Sequence, residues 1–384
     1  MPTPSARITL ATALLAAGTA WNAGNIGPVT ASLTSDFSVS LTAVGLLSGT
    51  VFFAGLLATT AVAPPLAART GVGTAARLGC VLCGVGNLLF AISPWFAGLL
   101  AARVIVGAGL GLALVLGPVF ARAYGGVRLL GVFGAGVTVG MAAALGIGSL
   151  LEDAGVEWRA AFGLSAVAGV AAVPLLPARM EAGAPPERHA SGMLGAMFRS
   201  LPLWRVGFVY VGSFGVQLIV GAWLIHYLTE DGGMAISLAG LLAFVMFAFS
   251  AASRELGGAL SARGMSPVIL VGVAPLLATA GLVAIAIDRS LTVALPAVVL
   301  MGIGFSTPYA VMMDEAQRLF PERPLAPITV LQLGANAIPM IAIPIVGAAL
   351  AAGSGEAALF ALAAFCGAAG VANLKPAVPA APRS

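Results

Sequence analysis

The sequence predicts an all-α membrane protein with twelve transmembrane helices. Hydrophobic residues make up 60% of the 384 residues, charged residues make up 8%, and the mean hydropathy is +1.04. Ordinary soluble domains carry about 25% charged residues, so the composition excludes that class. Apolar runs of roughly 20 residues, the length that crosses a bilayer as a helix, recur along the chain between short charged or Gly/Pro-rich breaks.

Each apolar run predicts one helix that ends at the next charged or Gly/Pro-rich break. The first run follows Arg7 and continues well past Gly18, which is too far for a signal peptide, so we interpret it as an uncleaved first helix. The predicted helices cover residues 8–33, 41–64, 75–93, 96–121, 129–151, 159–178, 203–228, 235–260, 267–287, 291–314, 326–350 and 355–374.

The distribution of positive charge predicts the topology. The chain has 18 Lys and Arg residues, and all but Arg103, Arg159 and Arg289 lie near its two ends or near the breaks that follow even-numbered helices. Most acidic residues lie at the opposite breaks. Because cytoplasmic loops carry the excess of Lys and Arg, both termini are predicted to be cytoplasmic.

The chain is predicted to consist of two halves joined by a linker. Residues 179–202 predict a cytoplasmic linker, because hydrophobicity falls and charged residues and prolines accumulate there. A six-helix bundle at 1–178 precedes it, and a second bundle with a short tail follows at 203–384. Two segments of the first half, 36–47 and 66–69, resemble 231–242 and 260–263 of the second at nearly the same offset. Such parallel repeats are typical of transporters with a substrate site between the halves.

Arg103 lies within the predicted fourth helix with no acidic residue near it in sequence. A guanidinium at membrane depth costs about 2.5–3.5 kcal/mol, so we expect it to face protein or a water-filled cavity rather than lipid. Gly107 and Gly111 are four residues apart on one face of this helix. Small residues at this spacing allow a second helix to approach closely.

Three short motifs follow one another in the first half: Pro-Pro-Leu-Ala-Ala-Arg-Thr-Gly at 64–71, Arg-x-x-x-Gly-x-Gly at 103–109 and Trp-Arg-Ala-Ala-Phe at 158–162. Together they resemble the signatures of the major facilitator superfamily of secondary transporters. The first motif departs from the family's Gly-x-x-x-Asp-Arg-x-Gly, because Pro64 replaces the Gly and Ala68 replaces the Asp. The resemblance covers nearly the whole chain and implies that family's fold of two six-helix bundles.

The resemblance also implies alternating access around a central site lined mainly by helices 1, 4, 7 and 10. The polar and aromatic residues of these helices are then the substrate candidates, and two amide residues of helix 11, which share one face, join them. The candidates are Asn22, Asn25, Arg103, Gln217, Trp223, His226, Tyr227, Ser306, Tyr309, Gln332 and Asn336.

Each candidate also has a structural interpretation. Arg103 can bind neighbouring carbonyl groups instead of substrate, and Asn22 with Asn25 can join helices instead of lining a cavity. Trp223 can be an aromatic residue of the membrane interface, and His226 can lie at the wet outer rim. Ser306 can bond back to a carbonyl of its own helix ahead of Pro308.

A second set of residues is predicted to control opening and closing. Arg69 and Gly71 belong to the loop signature. Because Ala68 removes its acid, we expect the second half to supply acids for a cytoplasmic latch that pairs with Arg254 or Arg263. These acids are Glu255, Asp314 and Glu315. No Asp or Glu lies in the middle of a predicted span, so the sequence does not show whether a proton or a sodium ion drives transport.

The predicted function is secondary transport of a small organic anion or polar molecule across the cytoplasmic membrane. A drug/proton antiporter is the first alternative, although Gly136-Val-Thr-Val-Gly140 lacks the following Pro of that group. A sensor or scaffold on the same fold is the second. We expect a monomer in contact with lipid, with no enzymatic activity, metal, cofactor or nucleic-acid partner. Cys80 and Cys83 have metal-ligand spacing, but without a His or a third Cys nearby they indicate helix packing.

Overall fold

The computed structural model describes residues 5–177, 197, 199–320 and 325–374, with side chains left out at 127, 325 and 326. These residues form helices, turns and connecting segments, with no strand among them. Twelve helices correspond to the twelve predicted ones: α1 (Ala6–Ala20 and Thr30–Phe37), α2 (Leu41–Thr70), α3 (Val72–Ile92), α4 (Phe96–Gly126), α5 (Arg128–Asp153), α6 (Trp158–Val170), α7 (Leu201–Asp231), α8 (Ile236–Ala262), α9 (Val268–Ile287), α10 (Leu291–Leu319), α11 (Pro327–Ala351) and α12 (Gly355–Ala372).

Ten of these helices, α2 to α5 and α7 to α12, are long and apolar enough to cross a membrane. The two others, α1 and α6, differ from the prediction. Helix α6 has 13 residues, and the prediction of one continuous helix over 8–33 is wrong. Instead, α1 is interrupted by 3-10 turns at Trp21–Ala23 and Gly27–Val29. Gly24, Gly27 and Pro28 fall in this segment, and these residue types interrupt helices.

Helix α2 is longer than predicted, because Pro64 and Pro65 lie inside it rather than in the following loop. The helix ends at Thr70, and Gly71 turns the chain directly into α3 with φ +85°. Only glycine adopts this conformation without strain. A second glycine turn separates α4 from α5, where Gly126 has φ +58°. Gly71, the last residue of the first motif, therefore allows the sharp turn from α2 into α3.

The chain divides into two compact units. Unit 1 consists of residues 1–186, 221–244 and 340–352, and unit 2 consists of residues 187–220, 245–339 and 353–384. The predicted linker at 179–202 lies largely outside the described residues. Unit 1 contains an apolar core built around Leu15, Leu112, Phe120 and Phe133. The core of unit 2 is built around Val206, Tyr210, Met312 and Leu331.

Close helix packing in unit 1 depends on the glycines of α4. A Cβ atom built on Gly107 or Gly111 would collide with the main chain of α2, at Phe52 and Leu56 respectively. Both glycines thus face the same helix, which confirms the close approach predicted from their spacing. Gly109 points to a different neighbour and contacts Gly79 of α3.

The same packing recurs in unit 2. Gly302 of α10 contacts the carbonyl oxygen of Met246 in α8, as Gly107 of α4 contacts that of Phe52 in α2. Gly304 contacts the main chain of α9, as Gly109 contacts that of α3. The duplication inferred from two short sequence matches is therefore also present in the helix contacts.

Each half contains an equivalent hydrogen bond between the start of its first helix and the end of its sixth. Arg7 at the start of α1 donates to the carbonyl oxygen of Pro174 at 3.3 Å, and Arg205 near the start of α7 donates to that of Ala372 at 2.8 Å. Each bond connects the first helix of a half to the segment that ends its sixth helix.

Candidate functional site

The guanidinium of Arg103 is buried within unit 1 and has protein acceptors for all three nitrogen atoms. Nε donates to the carbonyl oxygen of Leu47 at 3.1 Å, and the two terminal nitrogens donate to Asn25 Oδ1 at 3.2 Å and to the carbonyl oxygen of Asn22 at 2.9 Å. Its carbon atom lies 4.3 Å from the ring centre of Phe52. With 1% of its surface exposed, Arg103 faces protein rather than lipid, as predicted.

The main-chain acceptors of Arg103 lie where two helices depart from regular geometry. Asn22 belongs to the 3-10 turn Trp21–Ala23 of α1, and Leu47 belongs to the π-helical segment Leu46–Thr50 of α2. Irregular helical segments free carbonyl groups from the regular ladder, and a free carbonyl group in an apolar surrounding is costly. The buried cation and the irregular segments therefore stabilise each other.

Three asparagines form a hydrogen-bonded network next to Arg103. Asn87 of α3 donates to Asn22 Oδ1 at 2.6 Å, and Asn25 donates to Asn87 Oδ1 at 3.3 Å. Asn25 also donates to Ser165 Oγ of α6 at 3.3 Å, and the indole of Trp21 donates to the same oxygen at 2.9 Å. In this conformation the asparagine amides join helices, the structural interpretation considered above.

Asn87 and Ser165 were missed as members of this site. Both are buried, with 0% and 2% exposure. The available sequence signal was a polar residue in the middle of an apolar helix, since such a residue needs a buried partner. A small cavity, of the size that a single water molecule fills, adjoins the network between Trp21, Asn25 and Ser165.

In unit 2, Gln217 begins a buried chain of polar side chains. Its amide donates to Ser250 Oγ of α8 at 2.8 Å, and Ser250 shares a hydrogen bond with Ser306 of α10. Ser253 donates to the carbonyl oxygen of Gly302 at 3.2 Å. The sequence identified Gln217 and Ser306 but not Ser250 of α8, which connects them, or the neighbouring Ser253.

Four helices of unit 2 contribute to a cluster of aromatic and polar side chains. The aromatic cluster consists of Tyr210, Phe214 and Tyr309, with the first two rings stacked at 5.5 Å and the two tyrosine rings 6.1 Å apart. The hydroxyl group of Tyr210 donates to Gln332 Oε1 of α11 at 2.9 Å. The guanidinium carbon of Arg254 in α8 lies 4.2 Å from the ring centre of Tyr309.

Asn336 belongs to the same face of α11 as Gln332. Its side-chain amide donates to the carbonyl oxygen of Gln332 at 2.7 Å, one turn earlier. The bond is local to α11, and the two residues lie one helical turn apart.

The three candidates at the end of α7 lie in unit 1. The indole of Trp223 donates to the carbonyl oxygen of Ile343 in α11 at 2.9 Å and is 4% exposed. His226 contacts the Trp223 ring edge-on at 6.0 Å, and Tyr227 is buried. Trp223 is therefore a packing residue in this conformation and does not face the membrane interface.

The predicted latch pairs are absent from the described residues. Asp314 pairs with Arg318 at 2.8 Å on the surface of α10, and Arg254 lies on the aromatic cluster instead. Glu255 and Arg263 are exposed, as is Arg69. The latch stays a prediction for another conformation of the protein.

The third motif joins three helix ends of unit 1. Trp158 donates from its indole to Asp36 Oδ2 near the end of α1 at 2.7 Å. Arg159 donates to the carbonyl oxygens of Ala91 and Ser93, at the C-terminal end of α3, at 2.9 and 3.1 Å. The Arg159 guanidinium also covers the Trp158 ring at 4.3 Å. These residues have a structural function that the sequence motif alone did not reveal.

Residues 12–326 match the family described as the Major Facilitator Superfamily. This match covers more than half of the chain. The chain belongs to the major facilitator superfamily. No curated protein sequence matches it. Membership makes the protein a multi-pass membrane transporter for small molecules, and members of the superfamily are generally not enzymes.

Solved structures of the superfamily share the fold at low sequence identity. A bacterial homolog of the human lysosomal transporter Spinster, inward-facing and unoccupied, has a TM-score of 0.75 at 18% identity, with 95% of each chain covered. A D-xylose–proton symporter has a TM-score of 0.74 at 16% identity, again with 95% of each chain covered. The xylose transporter XylE from E. coli, partially occluded and inward-open, has a TM-score of 0.71 at 14% identity, with 95% of this chain and 97% of that chain covered. At these identities the similarity shows the fold alone.

Proposed function

We propose that this member of the superfamily transports a small organic anion. Arg103 of α4, which is 1% exposed, and Arg254 of α8 lie on helices that are long and apolar enough to cross a membrane. Neither has a carboxylate oxygen within 4.0 Å in the part of the chain that the structure describes. A cation within the membrane is expensive and usually has a functional partner. The buried cation Arg103, which has no carboxylate partner among the described residues, supports an anionic substrate over a cationic one.

The substrate-contacting residues that we propose are the polar and aromatic side chains of α1, α4, α7, α10 and α11. In the described conformation, Asn22, Asn25 and Arg103 are engaged with one another, and Gln217 is engaged with Ser250. Substrate contact by these residues therefore requires the rearrangement that alternating access provides. Trp223, His226, Tyr227, Ser306, Tyr309, Gln332 and Asn336 complete the proposed set.

The protein is proposed to act as a monomer in the cytoplasmic membrane, with both termini in the cytoplasm. The positive-inside distribution of Lys and Arg supports this orientation. Transport is driven by the gradient of the substrate itself or of a coupled proton or sodium ion. The orientation is tested by the protease accessibility of a C-terminal tag in right-side-out and inverted vesicles.

Transport is tested with purified protein in liposomes. Uptake and counterflow of labelled lactate and benzoate are compared with those of D-xylose and of tetraphenylphosphonium, a bulky organic cation. We expect transport of the two anions. Transport of the cation alone would instead support the drug/proton antiporter, and transport of D-xylose alone would support a neutral substrate. If no solute moves, a sensor or scaffold becomes the better interpretation.

A further inference from the structure

Arg254 is half-buried in α8, and one of its guanidinium nitrogens differs from those of Arg103 in its hydrogen bonding. Its Nε atom is buried without any hydrogen-bond acceptor, and the described residues provide no ion pair for the guanidinium. Its contacts are with aromatic rings, at 4.2 Å from the centre of Tyr309 and 5.7 Å from that of Phe214. Arg103, by contrast, has an acceptor for each nitrogen atom.

A buried donor without an acceptor destabilises a protein, and the cost is larger for a charged group. The aromatic rings offset part of it, since a guanidinium over a ring face is attracted to the ring electrons. Rings do not supply hydrogen-bond acceptors in the plane of the guanidinium, where a carboxylate binds through two parallel bonds. The unpartnered Nε of Arg254 is thus a donor to which a carboxylate can bind.

The described residues provide no acid that pairs with Arg254. Gln332 joins the aromatic cluster by accepting from Tyr210 through Oε1, which leaves its Nε2 amide as the donor end of the side chain. The adjacent acid Glu255 is exposed, and Asp314 is paired with Arg318. Arg254 lies about 12 Å from the C-terminal end of α8, as the rise of 1.5 Å per residue implies.

We propose that Arg254, held against the aromatic cluster, binds the carboxylate group of the substrate. This inference rests on the proposed transport of an organic anion and assigns the anion contact to unit 2. Arg103 stabilises the irregular segments of α1 and α2 in the described conformation. Arg254 is accordingly a substrate-binding residue, in addition to the predicted role in a latch.

The test measures binding of benzoate and lactate to purified protein by the shift of its melting temperature, with benzamide as the uncharged counterpart of benzoate. We expect benzoate or lactate to stabilise the wild type and benzamide to have no effect. Arg254→Gln should weaken the binding of the carboxylate by at least about tenfold, because it removes a charge-assisted hydrogen bond. Arg254→Lys should retain part of the affinity. Arg122→Gln, which removes an exposed cation of α4, is the matched control and should bind like the wild type.

The outcomes distinguish an error in the assignment of Arg254 from an error in the proposed transport of organic anions. If the wild type and Arg254→Gln bind the carboxylates equally, the assignment of Arg254 is wrong while anion transport stands. If the wild type neither binds nor transports them, the proposed function and the assignment are both wrong. Arg254→Lys and size-exclusion profiles of each variant exclude misfolding as the cause of lost binding.

Discussion

The Nη2 atom of Arg103 donates a 2.9 Å hydrogen bond to the carbonyl oxygen of Asn22, at the point where α1 changes from an α-helix to a 3-10 turn. The residues are far apart in the chain, and the bond connects α4 to α1. Because the same guanidinium also binds the carbonyl oxygen of Leu47, one side chain supports two irregular helical segments.

Replacement of Arg103 is expected to destabilise the folded protein. Arg103→Ala leaves three acceptors without their donor, and we expect a loss of roughly 3 kcal/mol in unfolding free energy, typical of a broken buried polar network. The measurement is the melting temperature in detergent. The control Arg122→Ala, at an exposed position of α4, should change it little. Equal melting temperatures for Arg103→Ala and the wild type would contradict the structural role.

Gly107 is expected to tolerate no side chain. In Gly107→Ala, the new methyl group meets the carbonyl oxygen of Phe52, so α2 and α4 must separate, at a cost of about 1–3 kcal/mol. Gly131→Ala in α5 is the matched control, because its Cβ would point into open space. We expect the first variant to unfold at a lower temperature and the second to behave like the wild type. The reverse order would refute the packing argument.

The duplicated packing makes a parallel prediction for unit 2. Gly302→Ala should destabilise the protein by a similar amount, about 1–3 kcal/mol, since the methyl group meets the carbonyl oxygen of Met246. The comparison is again of melting temperatures, with Gly334→Ala of α11 as the control in open space. A neutral effect of Gly302→Ala would show that the two halves do not depend on equivalent contacts.

The indole hydrogen bond of Trp158 is expected to contribute modestly. Trp158→Phe keeps an aromatic ring against its neighbours but removes the donor to Asp36, which is exposed, so we expect a loss of about 1 kcal/mol. Trp95→Phe is the control, because the Trp95 side chain is 73% exposed. Thermal unfolding of both variants provides the measurement. If Trp158→Phe is as stable as Trp95→Phe, the hydrogen bond from Trp158 to Asp36 does not contribute to stability.

The latch is tested by transport rather than by stability. If Asp314 and Arg263 pair in another conformation, Asp314→Asn with Arg263→Gln should alter the rate of labelled-substrate counterflow by at least about twofold, since the pair would favour one state over the other. Arg122→Gln again serves as the control. An unchanged rate and an unchanged balance between inward and outward states would leave these charges as surface groups.

Much of the fold follows from local sequence. The positions of the apolar runs predict the helices because crossing a bilayer requires about 20 apolar residues, a property of each segment alone. The spacing of Gly107 and Gly111 predicts one close-packed face for the same reason, since helical periodicity decides which residues share a side. The break in α1 was missed because hydropathy averages over a window and does not detect a few non-helical residues in an apolar run.

The sequence by itself determined that this protein is a helical membrane protein of two similar halves and that Arg103 must be buried in protein, because hydrophobicity, charge and spacing act along the chain. Only the tertiary structure decided which groups meet these residues. Asn87 and Ser165 join Asn22 and Asn25, and Arg254 lies on Tyr309 with no acceptor for its Nε atom among the described residues. These partners come from helices that are distant in the sequence. A hydrogen bond forms only when the rotation and depth of both helices are correct to within about an ångström, and no local sequence pattern specifies these two quantities.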